Sequence, residues 1–125
     1  MKRIFISFAI EDKNYRDLLV GQAKNANSPF EFVDMSVKEP WATDWKERCR
    51  SKIKSCHGVI ALLSRDTPRA SGALWEMECA DEENIPMIGV YVSDNDRPAT
   101  QITELIGHRI ITWTWDGIRN FINAL

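Results

Sequence analysis

The sequence predicts one α/β domain built around a parallel sheet. Short apolar segments typical of buried strands begin near residues 3, 30, 58, 86 and 109, and each interval between them has room for one helix. Strands that are joined through helices run parallel, and helices then cover both faces of the sheet. We therefore predict a single three-layer domain over residues 1–125, with a five-stranded parallel sheet in the order 2-1-3-4-5.

In the first half of the chain, three predicted strands alternate with two predicted helices. The strands are apolar and rich in β-branched and aromatic residues, whereas the helices carry apolar residues at helical spacing. A polar loop, Ser36–Asp44, separates the second strand from the second helix. In order, the elements are a strand over 3–8, a helix over 11–25, a strand over 30–35, a helix over about 45–56 and a strand over 58–63.

The second half continues the same alternation. The third helix is predicted from about Ser71 to Glu83, and a short helix further on is ended by Gly107. Asp116 is predicted to cap the last helix, because a short acidic side chain can accept hydrogen bonds from the free N–H groups of the first turn. The two remaining strands are predicted at 86–92 and 109–114.

Composition and charge exclude several classes of function. Apolar residues make up 44% and charged residues 27% of the chain, which indicates a folded domain, and a net charge of −2 disfavours general affinity for nucleic acid. No apolar segment is long enough to cross a membrane. Cys49, Cys56 and Cys79 lack metal-ligand spacing, so we expect them to be small buried residues of a cytoplasmic protein without a metal site.

The loops lack the motifs of common nucleotide and phosphotransfer sites. Phe8–Asp12, after the first strand, contains neither the dinucleotide-binding nor the P-loop glycine pattern. Ser64 ends the third strand, where a phosphoacceptor receiver would carry an aspartate. His57 and His108 each precede a strand, which places them at the sheet edge opposite the ligands and disfavours histidine-based catalysis.

Polar and aromatic residues gather instead at the carboxyl edge of the predicted sheet, where α/β domains bind ligands. Glu76 lies there, beside the apolar stripe of the third helix, and is a candidate catalytic carboxylate; its position alone favours an ordinary solvent-facing glutamate. Carboxylates among aromatic and hydroxyl side chains suit a flat, polar ligand that develops positive charge. Trp41 and Trp75 could instead pack in the hydrophobic core without touching a ligand. The candidate binding residues are Phe8, Ala9, Asp34, Ser36, Trp41, Thr67 and Trp75.

Several segments, in this order and spacing, resemble TIR domains. The segments before residue 45 resemble the opening strand, the second strand and the loop after it, called the BB loop, of that family. The later ones resemble the bacterial TIR-like branch that includes ThsB of the Thoeris anti-phage system. The likeness spans nearly the whole chain and implies a flavodoxin-like domain over residues 1–125. The segments are Phe5–Phe8 with Glu11–Asp12, Phe32–Asp34, Ser55–Thr67, Trp75–Ala80 and Ile85–Val90.

The resemblance implies an enzyme that takes NAD+ as its substrate rather than as a cofactor. In this family a glutamate on the third helix is essential for breaking the bond between nicotinamide and ribose, and the matching position is Glu76. An ionised carboxylate stabilises the oxocarbenium-like ribose of such a cleavage. The implied product is ADP-ribose or, as in ThsB-like proteins, a cyclic ADP-ribose isomer that activates a separate effector protein.

The resemblance also implies self-association through the BB loop, Ser36–Asp44, which would complete the pocket between neighbouring subunits. The chain departs from the family at two places. Gly72 stands where many relatives carry an aromatic residue, and Ala9 and Ile10 stand where some members place arginines. The alternative to an enzyme is a non-catalytic TIR module that scaffolds other proteins.

Overall fold

The computed structural model describes residues 1–28 and 30–125 of the chain. Within these residues, five strands form one sheet in which every neighbouring pair is parallel. The strands are β1 (Lys2–Ser7), β2 (Phe30–Val33), β3 (Gly58–Leu63), β4 (Met87–Tyr91) and β5 (Ile110–Thr112). Their order, β2-β1-β3-β4-β5, confirms the predicted topology.

Helices cover both faces of the sheet and complete the three layers. The helices α2 and α3 pack on one face, whereas α1 and α4 pack on the other. Three short 3-10 turns lie between the main elements of the described residues. The helices are α1 (Lys13–Asn25), α2 (Thr43–Lys54), α3 (Ser71–Glu82) and α4 (Trp115–Asn123), and the turns are Ile10–Asp12, Thr67–Arg69 and Thr103–Leu105.

The central strand β3 divides the core into two halves. Val59, Ala61 and Leu63 belong to the cluster under α2 and α3, and the alternating residues Ile60 and Leu62 belong to the cluster under α1 and α4. All six residues of β3 are buried, as a strand covered on both faces requires. Burying each large branched side chain contributes about 1.5–3 kcal/mol, so the centre of the sheet is its most stable part.

The edge strands are shorter than the sequence predicts. The strand β2 ends at Val33, so Asp34 and Met35 lie in the loop beyond it, and β5 ends at Thr112. Before Gly107, which has a φ of +86°, the predicted short helix is only the 3-10 turn Thr103–Leu105. Edge strands lose their pairing sooner than central ones, because a neighbour lies on one side alone.

The prediction that Asp116 caps α4 is wrong. The helix begins at Trp115, and the Thr114 hydroxyl oxygen accepts a hydrogen bond of 3.1 Å from the backbone N–H of Gly117. An N-cap side chain must come from the residue just before the first helical position, where the backbone is still extended. Asp116 lies inside the first turn and pairs with Arg119 at 3.0 Å.

The three cysteines are free and buried, as predicted. His57 Nδ1 accepts a hydrogen bond from the backbone N–H of Arg3, and His108 Nε2 lies 2.6 Å from an Asp81 carboxylate oxygen. Among the described residues, no helix combines the length and apolar character that a bilayer crossing needs.

Substitution of Thr114 tests the corrected cap. We expect Thr114→Ala to lower the free energy of unfolding by about 1 kcal/mol, because one N–H of the first turn of α4 loses its acceptor. Thr114→Ser keeps the hydroxyl and is the matched control, with most of the stability retained. The measurement is urea unfolding followed by circular dichroism. A larger loss for Asp116→Ala than for Thr114→Ala would contradict this assignment.

Candidate active site

The carboxylate of Glu76 is fully buried at the carboxyl edge of the sheet. It lies on α3, whose neighbouring residues Ala73, Met77 and Ala80 form part of the core beneath that helix. The solvent-facing alternative for this glutamate is therefore wrong. Glu78, two positions further along α3, is exposed as the helical spacing predicts.

Two side chains from other elements hydrogen-bond the buried carboxylate. Lys38 Nζ, from the loop after β2, lies 3.0 Å from Glu76 Oε1 and 2.8 Å from Oε2. The Ser7 hydroxyl, at the end of β1, lies 2.9 Å from Oε1 and 3.1 Å from the carbonyl oxygen of Ala73, and it shares its hydrogen between them. The carboxylate thus has the partners that a buried charge requires.

Burial raises the pKa of the Glu76 carboxyl to about 7. The cause is desolvation, which disfavours the charged form of an acid. The Lys38 ammonium and the Ser7 hydroxyl lower the pKa, and the more distant Asp34 carboxylate raises it further. Near neutral pH this carboxyl is therefore poised between its two protonation states.

Lys38 is itself nearly enclosed, with its side chain 8% exposed. Its Nζ lies 4.1 Å from the centroid of the Phe8 ring, which is a favourable position for a cation. Its stem passes over Gly72, where an added Cβ would lie 2.8 Å from Lys38 Cβ. The absence of a side chain at Gly72 thus leaves the space that the lysine occupies.

A cleft of about 170 Å³ opens beside this lysine. The loops after β1, β2 and β3 and the first turn of α3 line it. Glu76 is not a lining residue, because the Lys38 side chain stands between its carboxylate and the open space. Arg69 adds a second cation to the walls, and it also pairs with Asp66 at 2.8 Å.

Of the binding residues that the sequence predicts, Ala9 and Trp41 line the cleft. Trp41 is 76% exposed, so its side chain is accessible from solvent. Phe8 is buried beneath the Lys38 ammonium. Asp34 binds Arg16 at 2.6 Å, and Ser36 is exposed on the same loop; neither lines the cleft.

The structure places Thr67 and Trp75 outside the cleft. The buried Thr67 hydroxyl accepts a hydrogen bond of 2.8 Å from the backbone N–H of Ser64, which fixes the loop after β3. The Trp75 ring packs edge-on against Trp45 with centroids 5.5 Å apart, and the Arg50 guanidinium lies over it. The core-packing alternative therefore describes Trp75 correctly.

A second buried carboxyl, Asp12, ties the first and third loops together. Its Oδ2 accepts a hydrogen bond of 2.5 Å from the Ser64 hydroxyl. Burial raises the pKa of Asp12 to about 6, with a further contribution from the nearby Asp96 carboxylate. Among the described residues, no group of histidine, cysteine and acidic side chains is arranged to hold a metal ion.

Sequence reasoning missed Lys38 and Ser7 as parts of this site. Ser7 did leave a signal, since it is a polar residue that directly follows the apolar residues Ile4, Phe5 and Ile6 at the end of β1. Lys38 left none, because its contact with Glu76 depends on the path of a loop without regular structure.

Two solved structures have this fold at 13% sequence identity. A prokaryotic SEFIR domain superposes with a TM-score of 0.59, and the alignment covers 99% of this chain and 95% of the SEFIR chain. A 3-dehydroquinate dehydratase-like protein from Bifidobacterium longum superposes with a TM-score of 0.53, and the alignment covers 99% of this chain and 94% of the Bifidobacterium chain. At such low identity, the likeness shows the flavodoxin-like fold alone.

A comparison with curated protein sequences finds no match. The family described as "Thoeris protein ThsB, TIR-like domain", in contrast, matches residues 5–97. This region runs from β1 to the loop after β4 and includes the cleft, Lys38 and Glu76. Since it covers well over half of the sequence, the chain belongs to the ThsB TIR-like domain family of Thoeris proteins.

Proposed function

We propose that this domain cleaves the bond between nicotinamide and ribose in NAD+, with Glu76 as the catalytic residue. The observation that carries the proposal is a fully buried carboxylate beside the cleft at the carboxyl edge of the sheet. A buried carboxylate is costly to maintain, and a strongly shifted acid next to a cleft is typical of functional sites. Its position matches the glutamate that the family resemblance assigns to this chemistry.

In the proposed reaction, the bond between ribose C1′ and the pyridinium nitrogen breaks. The electron pair goes to that nitrogen, so nicotinamide leaves as a neutral molecule and the ribose becomes an oxocarbenium cation. The ionised Glu76 stabilises this cation in surroundings from which water is largely excluded. Attack by water, with loss of a proton, gives ADP-ribose. Attack by a nitrogen or hydroxyl of the same molecule gives a cyclic isomer.

The walls of the cleft fit the rest of such a substrate. The first N–H groups of α3 face no side-chain cap within the described residues, and Arg69 lies beside them. A helix N-terminus with a neighbouring cation suits the pyrophosphate. The exposed Trp41 ring suits stacking on a flat base. Self-association through Ser36–Asp44 would extend this small cleft with residues of a second copy.

The proposed role follows from the proposed product. A cyclic ADP-ribose isomer is small and diffusible, so it can carry a signal from this domain to a separate effector protein. We place this signalling in the cytoplasm during anti-phage defence. The three free, buried cysteines agree with a reducing compartment.

A non-catalytic scaffold is the second candidate, because the loop after β2 carries two exposed apolar side chains. Val37 is 59% and Trp41 is 76% exposed, and such side chains suit protein contacts. Nicotinamide release separates the two candidates. A scaffold releases none, even when Lys38 no longer covers Glu76.

Substitution of the buried acid tests the catalytic proposal. We expect Glu76→Gln to lower the rate of nicotinamide release by about 10²-fold or more, because the neutral amide cannot stabilise the ribosyl cation. The measurement is chromatography with mass spectrometry after incubation with NAD+, and circular dichroism verifies folding. Glu78→Gln removes a neighbouring exposed carboxylate and should retain full activity. Full activity of Glu76→Gln would rule out the assignment.

The pH dependence of the same reaction gives a second test. The folded-state pKa of Glu76 is raised from 4.5 to about 7, so the protonated, inactive form accumulates as the pH falls below 7. We expect kcat/KM for nicotinamide release to rise with pH, with a midpoint near 7, and to fall about tenfold per pH unit on the acid side. A flat profile between about pH 5.5 and 8.5 contradicts this role.

A further inference from the structure

Lys38 closes the route from the cleft to the Glu76 carboxylate. Its Nζ lies within 3.0 Å of both carboxylate oxygens, and the lysine lines the cleft whereas the glutamate does not. The Glu76 side chain has no exposed surface. A molecule that enters the cleft therefore meets the lysine before it can meet the acid.

The place occupied by this ammonium is built for a cation. It is bounded by the Glu76 carboxylate at 2.8 Å and by the Phe8 ring centroid at 4.1 Å. A carboxylate and an aromatic face both attract positive charge, and more strongly where water is excluded. A ribosyl cation requires the same surroundings. The lysine thus stands where the reacting carbon of a substrate would have to stand.

Gly72 leaves the space through which the Lys38 side chain reaches Glu76. A Cβ at this position would lie 2.8, 3.3 and 3.4 Å from Cβ, Cγ and Cδ of Lys38. The first of these distances is shorter than two carbons tolerate, and Lys38 Cβ cannot move without its backbone. The glycine is in the first turn of α3, where helix propensity alone would favour a larger residue. A side chain at position 72 and the observed lysine therefore exclude each other.

We propose that Lys38 is an internal cation that occupies the position of the reacting substrate, and that the site becomes accessible only when its ammonium is withdrawn. The preceding residue, Val37, is held by a hydrogen bond of 2.6 Å from Trp45 Nε1 to its carbonyl oxygen. Withdrawal consequently involves the lysine side chain and the residues after it, and the loop before it stays in place. The catalytic meaning of this gate rests on the proposed function, whereas the occlusion of Glu76 does not.

Chemical labelling measures the occlusion without any reaction on NAD+. The protein is treated with a water-soluble carbodiimide and glycine ethyl ester, and peptides are quantified by mass spectrometry. The exposed Glu78 provides an internal reference on the same helix. We expect Lys38→Ala to raise the ratio of Glu76 to Glu78 labelling by about tenfold, because the covering side chain and two charge-assisted hydrogen bonds are removed.

Two further variants make the test specific. Gly72→Ala retains the lysine but forces it from its place, so it should also raise the labelling ratio. Lys54→Ala removes the same charge from an exposed position at the end of α2 and should leave the ratio unchanged. Circular dichroism verifies that each variant is folded, and Gly72→Ala decides the matter if Lys38→Ala does not fold. If folded Lys38→Ala has the same ratio of Glu76 to Glu78 labelling as the wild type, the proposal is overturned. If Lys38→Ala does not fold, the same result in Gly72→Ala overturns it.

Nicotinamide release from NAD+ by the same proteins separates this inference from the proposed function. Loss of the lysine raises the pKa of Glu76 further, so the comparison is made well above pH 7, where more of the acid is ionised. If both hold, Lys38→Ala then releases nicotinamide about tenfold faster than the wild type. Increased labelling without any release contradicts the proposed function and supports the occlusion. Release by the wild type at the same rate as Lys38→Ala supports the proposed function and overturns the gate.

Discussion

The arrangement of this site depends on the hydrogen-bonded pair of Lys38 and Glu76. A carboxylate without solvent contact is unstable unless a cation and hydrogen-bond donors replace the lost water, and Lys38 and Ser7 do so here. The neighbouring residues can be understood from this requirement. Phe8 supplies an aromatic face for the ammonium, and Gly72 leaves space for its stem.

The same pair gives the domain two opposing properties. Its hydrogen bonds make burial of the acid tolerable, but truncating either partner would leave an uncompensated charge. The same attraction places the Lys38 ammonium between the Glu76 carboxylate and the cleft. A site of this kind can be folded and chemically prepared while its reactive carboxylate stays closed to the cleft, and this agrees with a signalling enzyme as well as with an inactive scaffold.

The loops around the pair are held by polar contacts that do not involve it. Asp12 and Ser64 join the first loop to the third, and Thr67 fixes the turn before α3. Trp45 binds the carbonyl oxygen of Val37 and thereby anchors the second loop just before the lysine. The walls of the cleft on these sides are therefore held without the Lys38–Glu76 pair.

The sequence by itself determined the fold and the location of the catalytic candidate. Strand spacing and apolar periodicity depend on local geometry, so they predicted the sheet order and placed Glu76 beside the apolar stripe of α3. The tertiary structure alone decided that Thr114 caps α4, that Thr67 and Trp75 support the loops and the core, and that Lys38 covers Glu76. These contacts join residues whose relation depends on where an irregular loop runs or where a helix starts. A periodic pattern reveals which face of an element is buried, but it carries no information about which side chain from another segment meets that face.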